Sequence, residues 1–347
     1  LWSNSRIVRE TAIEGLIKSG FTPSAEELDR LHQLISDTIG LMTWNISAKV
    51  CLEKNNQNAL LEIFRKDMAR WRKFFFNLLS VAYDAGSIAK IRENLESETV
   101  ENGNFALEMI DIVIDESIKP KVMALLDIVP DEVKLKSLYQ FYPGEVPSVE
   151  KLFEDIINRD YNLVDLWTKA CTLRNIPVIR DKQLEESASA LLFSPEPVLQ
   201  EEAVKLMLRS ANNQYSSVSS RIPDSTRKKL DGIISGSIEK EELMFEKVLF
   251  LSGLFTGIPE DELITLCGYM TFRNESDLSQ MNEECLVWPL NGSNDKRPII
   301  YHGDKGIIEE AGNGKCYLLP FSAIEEFGNH YPERSAGILA YIDKNDK

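Results

Sequence analysis

Near the end of the chain the triplet Arg334-Ser335-Ala336 stands just ahead of the apolar run Gly337 to Ile342. A guanidinium on a loop that enters a strand can hold a phosphate through a bidentate pair, so this triplet is the first candidate for chemistry. The other candidates are few. His32 lies in an amphipathic helical pattern and reads as a packed structural histidine, His302 precedes a Gly-Asp turn, and His330 sits beside Tyr331. The chain contains no HExxH, no Gly-rich phosphate loop, no GxSxG and no GxGxxG after a strand. The acid pairs Asp155 with Asp160 and Glu201-Glu202 read as groups on helix ends and outer faces, held by solvent and the helix dipole. Trp71, Phe74, Phe75 and Phe76 read as inter-helix packing. A non-catalytic protein without cofactor or metal is therefore expected.

Composition narrows the partners. The 347 residues carry 39 Lys and Arg against 55 Asp and Glu, a net charge of -16, which repels a phosphate backbone and argues against nucleic acid. The five cysteines are scattered without a CxxC pair, which argues against a disulfide framework and a zinc site and fits a reducing compartment. The most apolar window, "FFFNLLSVAY", is shorter than the roughly 18 residues of a membrane span. Against the acidic background Arg65, Lys66, Arg70, Arg72 and Lys73 form one local basic face, read either as a solvated helix side or as a contact with anionic lipid headgroups.

Helices must position whatever these residues do. "FALEMIDIVID" has two adjacent i, i+4 rows, Phe105-Met109-Val113 and Ala106-Ile110-Ile114, and predicts one broad buried stripe. "IKPKVMALLDIV" follows as its antiparallel mate, with Ile118, Val122, Leu125, Leu126 and Val129 inward. A second pair places Leu152, Phe153, Ile156 and Ile157 against Leu163, Leu166, Trp167 and Ala170, and a third begins with Ser194 as N-cap and Pro195 at the first helical position. The turns at Arg159 and Ser194 recur after about 35 residues, which predicts a stack of antiparallel helix pairs, interrupted by "LYQFYPGEVPS". Before it stand two longer helical stretches, "SAEELDRLHQLISDTIGLMTW" and "NALLEIFRKDMARWRKFFFNLLSVAYD". The expected domains are a mainly α superhelix over 1–210, a polar linker over 211–236 and a small α+β domain over 237–347. In the last, helices near 240–251 and 259–270 lead into short strands at "CLVWPL", "RPIIYH", "CYLLPF" and "AGILAYI".

The segment "VLFLSGLFTGIPEDELITLCGYMTFR" resembles the opening of a cyclic-nucleotide-binding domain through Phe250, Leu251, Leu254, Phe255, Ile258, Pro259, Leu263 and Leu266. That resemblance implies a β-roll whose phosphate cassette reads F-G-E, several small residues, then R-[ST]-A. Here Phe327-Gly328 and Arg334-Ser335-Ala336 match, Asn329 replaces the Glu that takes the ribose, and five residues separate Gly328 from Arg334. "GDKG" at 303–306 is similar to one roll turn, followed by "IIEEAGNGK". Gly328, Arg334, Ser335 and Ala336 thus read as a vestigial, non-binding cassette beside Glu309, Glu310, Glu325 and Glu326. The stretch from Arg70 to Phe255 resembles the HEAT-type repeats of bacterial transporter fusions related to ADP/ATP translocases, in which a membrane domain precedes the repeats and a cyclic-nucleotide-binding-like domain follows. The resemblance implies a cytoplasmic region at the inner face of the cell membrane, with membrane spans preceding Leu1, working on its own membrane domain or another protein. The alternative it implies is a cyclic-nucleotide or other small-ligand sensor.

Overall fold

The computed structural model describes residues 6–97, 99–210, 214–280, 283–290, 298–302 and 314–345. The chain divides into two compact units, Leu1–Asn175 and Ile176–Lys347. No helix among the described residues is long and apolar enough to cross a membrane.

The first unit is helical throughout its described residues. Its helices are α1 (Arg6–Lys18), α2 (Ala25–Lys54), α3 (Asn58–Ala82), α4 (Ala85–Glu96), α5 (Val100–Val113), α6 (Lys119–Leu126), α7 (Asp131–Leu138), α8 (Val149–Asn158) and α9 (Leu166–Asn175). Local chemistry sets their starts. Ser24 and Glu27 form a capping box on α2, Asp84 accepts from the Ser87 N–H at 2.7 Å on α4, and Thr99 and Ser148 cap α5 and α8. The turn from α2 to α3 is made at Asn56, whose φ of 54° lies in the left-handed region that Asn tolerates.

Helix α2 packs against α3, α6, α7 and α8. In a plain repeat stack each unit would touch only its sequence neighbours, whereas here one long helix is a spine shared by several pairs. The residues that interrupt the repeat explain the difference. In "LYQFYPGEVPS" the Tyr142 hydroxyl donates to the Ser36 carbonyl at 2.7 Å, the Tyr139 hydroxyl donates to Ser47 Oγ at 3.1 Å, and Ser47 donates to the Glu145 carbonyl at 3.3 Å. The insertion is thus a strap along α2.

Packing corrects the stripe expected on α5. Ala106, Ile110 and Ile114 are buried, but Phe105 is 52% exposed, so one row of the two is core. Helix α5 packs on α4 and α6, and Ile128 crosses so close that a Cβ on Gly103 would lie 1.7 Å from Ile128 Cδ1. On the other row Met109 and Val113 are partly buried against the core, and Phe105 is left exposed. In the next pair Leu152, Phe153, Ile156, Ile157, Trp167 and Ala170 are buried, with Val164 rather than Leu163 completing the row.

The second unit begins with α10 (Lys182–Leu191) and α11 (Pro197–Arg209), followed by α12 (Gln214–Val218), α13 (Asp224–Ser235), α14 (Met244–Leu254) and α15 (Glu260–Tyr269). Pro197, not Pro195, takes the start of α11, and Ser194 accepts from the Glu196 N–H at 3.1 Å in the turn before it. The polar stretch expected as a linker over 211–236 holds α13, which packs on α11 and ends at Gly236 with φ 71°. The boundary at 175/176 accordingly falls ahead of that stretch, and the third helix pair belongs to the second unit.

The strands are β1 (Thr271–Asn274), β2 (Glu284–Pro289), β3 (Ile299–His302) and β4 (Lys315–Pro320). They form one antiparallel sheet in the order β1-β4-β2-β3. β2 is buried on both faces: Cys285 and Val287 join Leu278, Tyr301, Cys316 and Leu318, while Trp288, paired in register with Tyr317, stacks edgewise on Phe250 at 5.8 Å. The chain ends in α16 (Phe321–His330) and α17 (Pro332–Asn345). The strand expected at "AGILAYI" is therefore a helix, and its physical reason is visible at its start. Pro332 stands at the first helical position, Glu333 lies in the first turn, and Ser335, Ile338 and Ile342 form an i, i+3, i+7 buried row. The expected β-roll is, among the described residues, this single sheet with helices; "GDKG" and most of "IIEEAGNGK" lie outside them.

Candidate functional site

The triplet that opened the sequence reading is split by the helix it occupies. Arg334 Nε lies 3.2 Å from Glu262 Oε2 of α15, Ser335 is buried against α16, and Ala336 faces solvent. Gly328 lies on α16 where α17 crosses, and a Cβ there would meet Ser335 Oγ at 2.9 Å. Gly328 and Ser335 thus meet as a close helix contact, whereas Arg334 and Ala336 point elsewhere. A phosphate needs donors converging on one point, and these residues diverge over successive helical positions.

The basic face on α3 is largely engaged within the chain. Arg65 pairs with Glu62 at 3.2 Å, Lys73 with Glu14 at 3.2 Å, and Arg70 lies 3.9 Å from Asp165. The Arg72 guanidinium lies over the Phe76 ring at 5.5 Å. Beside it, α3 and α4 leave a cleft of about 230 Å³ lined by Phe76, Ser80, Ile88, Arg92 and Glu96, in which Arg92 is already bonded to Glu96 at 2.7 Å.

His32 has a contact set with the composition of a hydrolytic relay. Its Nε2 lies 2.8 Å from the Tyr83 hydroxyl and 3.3 Å from Asp115 Oδ2, and its Nδ1 lies 3.3 Å from Ser117 Oγ. Burial pushes the Tyr83 hydroxyl up to about 12, so it stays protonated. That oxygen also accepts from the Asp115 N–H at 3.4 Å. The cluster ties α2 to the end of α3 and to the α5–α6 turn.

Burial places Glu201, Glu202 and Lys169 where the sequence reading does not. Glu201 and Glu202, expected on an outer face, are both 0% exposed on α11. Glu201 Oε2 accepts from the Met244 N–H at 2.8 Å, at the positive start of α14, while Oε1 lies 2.6 Å from Lys229 of α13. Glu202 is paired with Lys205 at 2.8 Å. The readable signal is that "VLQEEAVKLML" has apolar residues on every helical face, so the acids cannot all lie outside. Lys169 is 2% exposed and donates to the carbonyls of Ile157, at 2.8 Å, and Arg159, closing the end of α8. Burial lowers its pKa to about 8.

Among the described residues no group of three or more His, Cys, Asp or Glu side chains is arranged to hold a metal ion. All five cysteines are buried free thiols, and burial pushes Cys285 and Cys316 up to about 11. The charged groups at short range hold helices to one another. The largest apolar side chains left in water include Phe105 and, at 83% exposure, Ile112, both on the outer side of α5. No family model matches the sequence, and no curated protein and no solved structure matches it.

Proposed function

We propose that this chain is a non-catalytic scaffold or regulatory region that works through protein-protein contacts. In line with the family it resembles, it is joined to a membrane nucleotide-transporter-like domain at the inner face of the cell membrane. The observation that carries the contact reading is the outward side of α5, where Phe105 and Ile112 stay exposed on a helix whose Ala106 and Ile110 are fully buried. Isolated exposed apolar residues are ordinary, but two on one face, two turns apart, make a surface that gains by being covered. The attachment rests on the resemblance alone; about ten or more apolar spans encoded ahead of Leu1 would support it.

The competing sensor reading loses support from Arg334, whose partner is Glu262 and whose neighbours diverge along α17. The test is calorimetry and thermal melting with cyclic AMP and cyclic GMP at about millimolar concentration. A bound ligand stabilises the folded state by RT ln(1 + [L]/Kd), about 2.7 kcal/mol at a hundredfold excess over Kd. The expected outcome is no saturable heat and no rise in melting temperature. A saturable shift that Arg334→Ala abolishes would replace the scaffold reading with the sensor.

A further inference from the structure

Helix α5 carries a second pattern on its exposed side. Glu101 and Phe105 are spaced i, i+4, as are Glu108 and Ile112, and the two pairs repeat after seven residues. On an α-helix this spacing puts all four on one face, with the repeat about 10.5 Å apart along the axis. All four side chains are exposed. The neighbouring acids are already held, Asp111 by Lys119 at 3.3 Å and Asp115 near His32 at 3.3 Å. Among the described residues no cation is paired with Glu101 or Glu108.

We infer that the outer face of α5 docks a basic amphipathic segment of a partner protein, one that covers Phe105 and Ile112 with apolar side chains and meets Glu101 and Glu108 with Lys or Arg. This deepens the protein-contact reading and rests on it. Charge complementarity chooses the occupant. A second copy applying the same face about a two-fold axis supplies no cation: run parallel it sets Glu101 and Glu108 against their own equivalents, and run antiparallel it sets them against Ile112 and Phe105. An anionic lipid surface or a nucleic acid would meet the same two carboxylates and a chain of net charge -16. A basic segment gains from both the apolar and the acidic half of the pattern, and a helix laid along α5 presents residues at the matching interval. The overall negative charge steers such a segment toward the chain, and the α5 pattern determines where it settles.

The probe is a fluorescent amphipathic helix of about 18 residues made of Leu and Lys, titrated by anisotropy against the full chain at about 150 mM salt, where diffuse attraction is screened beyond roughly 8 Å. Its controls are a scrambled peptide of the same composition and a Leu/Glu counterpart. Saturable binding of the patterned basic peptide is expected. It should weaken about tenfold or more in Phe105→Ser/Ile112→Ser and likewise in Glu101→Gln/Glu108→Gln, as for residues at the centre of a contact. Removing two exposed acids elsewhere, Glu325→Gln/Glu333→Gln, should change it less than about twofold, as for charges outside the contact. Equal losses from both neutralised pairs, or equal binding of the scramble, would overturn the α5 assignment. Binding of anionic vesicles through the same four residues would overturn it in favour of a membrane. Either result leaves the scaffold reading standing, since that reading falls to the cyclic-nucleotide experiment.

Discussion

Lys169 is a single buried side chain that holds the end of one helix of the first unit to another. Its Nζ closes the end of α8 by donating to the carbonyls of Ile157 and Arg159, and the ring of Tyr161 lies 4.5 Å beneath it. Replacing it with Met keeps the stem but strands both carbonyls, so Lys169→Met should lower stability by about 1 to 3 kcal/mol near neutral pH. The pH dependence has a definite sign. Burial lowers the folded pKa to about 8 from the ordinary 10.5, so between these values the unfolded chain binds more protons and the folded state gains stability as pH rises. The gap between wild type and Lys169→Met, measured as urea midpoints, should widen from pH 8 toward 10.5. A variant as stable as the wild type throughout would mean that Lys169 does not close α8. Its place was readable in part, because Leu166 and Leu173 flank it at i-3 and i+4 and put it on an apolar side, though which carbonyls it meets depends on a turn ten residues away.

At the scale of elements the instructive case is α17. The run "AGILAYI" satisfies a strand and a helix equally well over seven residues, and periodicity alone does not separate them. What decides is the pair of signals ahead of it, Pro332 and Glu333, which suit a helix start. The two structures place Ala340 differently. In a half-buried strand it shares a face with the buried Ile338 and Ile342, whereas on α17 it faces solvent. Ala340→Glu should therefore change stability by no more than about 0.5 kcal/mol, while Ile338→Ala should cost about 2 to 4 kcal/mol. A collapse of the fold on Ala340→Glu would restore the strand. The same reasoning accounts for α5: its two apolar rows were both legible, but how far each is covered is decided by other segments, here α4 and α6, which leave Phe105 exposed. The strong stripe of α8 needed no such help, and Leu152, Phe153, Ile156 and Ile157 lie buried as read. The strap at Tyr139 and Tyr142 was not legible as such, because its partners lie 92 and 106 residues away, and for Glu201 the burial was legible but its Met244 partner, 43 residues on, was not.

Across the whole molecule the two units differ in how burial has shifted their titrating groups. In the second unit burial raises Cys267, Cys285, Cys316, Tyr215 and Tyr317, and lowers Lys247. In the first it raises Cys51, Tyr83 and Tyr142 but lowers both Lys134 and Lys169. A buried thiol whose pKa stands above the ordinary 9 keeps its proton when the unfolded chain has lost it, so the folded state loses stability as pH climbs past 9. The depressed Lys169 acts in the opposite direction over about pH 8 to 10.5, and Lys134 acts in the same sense, so more of that loss is offset in the first unit. In the full chain, alkaline titration should therefore weaken the sheet-bearing unit first. Hydrogen exchange at pH 7.5 and at about pH 10, after correction for intrinsic rates, should show β2 and β4 losing protection while α2 and α3 largely retain theirs, because local openings report local stability. Replacing Cys285 and Cys316 with Ala removes two of the groups that titrate there and should flatten the loss in β2 and β4 without altering its absence in α2. Equal loss of protection in both units would mean that they unfold together, and that the thiols of the sheet do not set where alkaline unfolding begins.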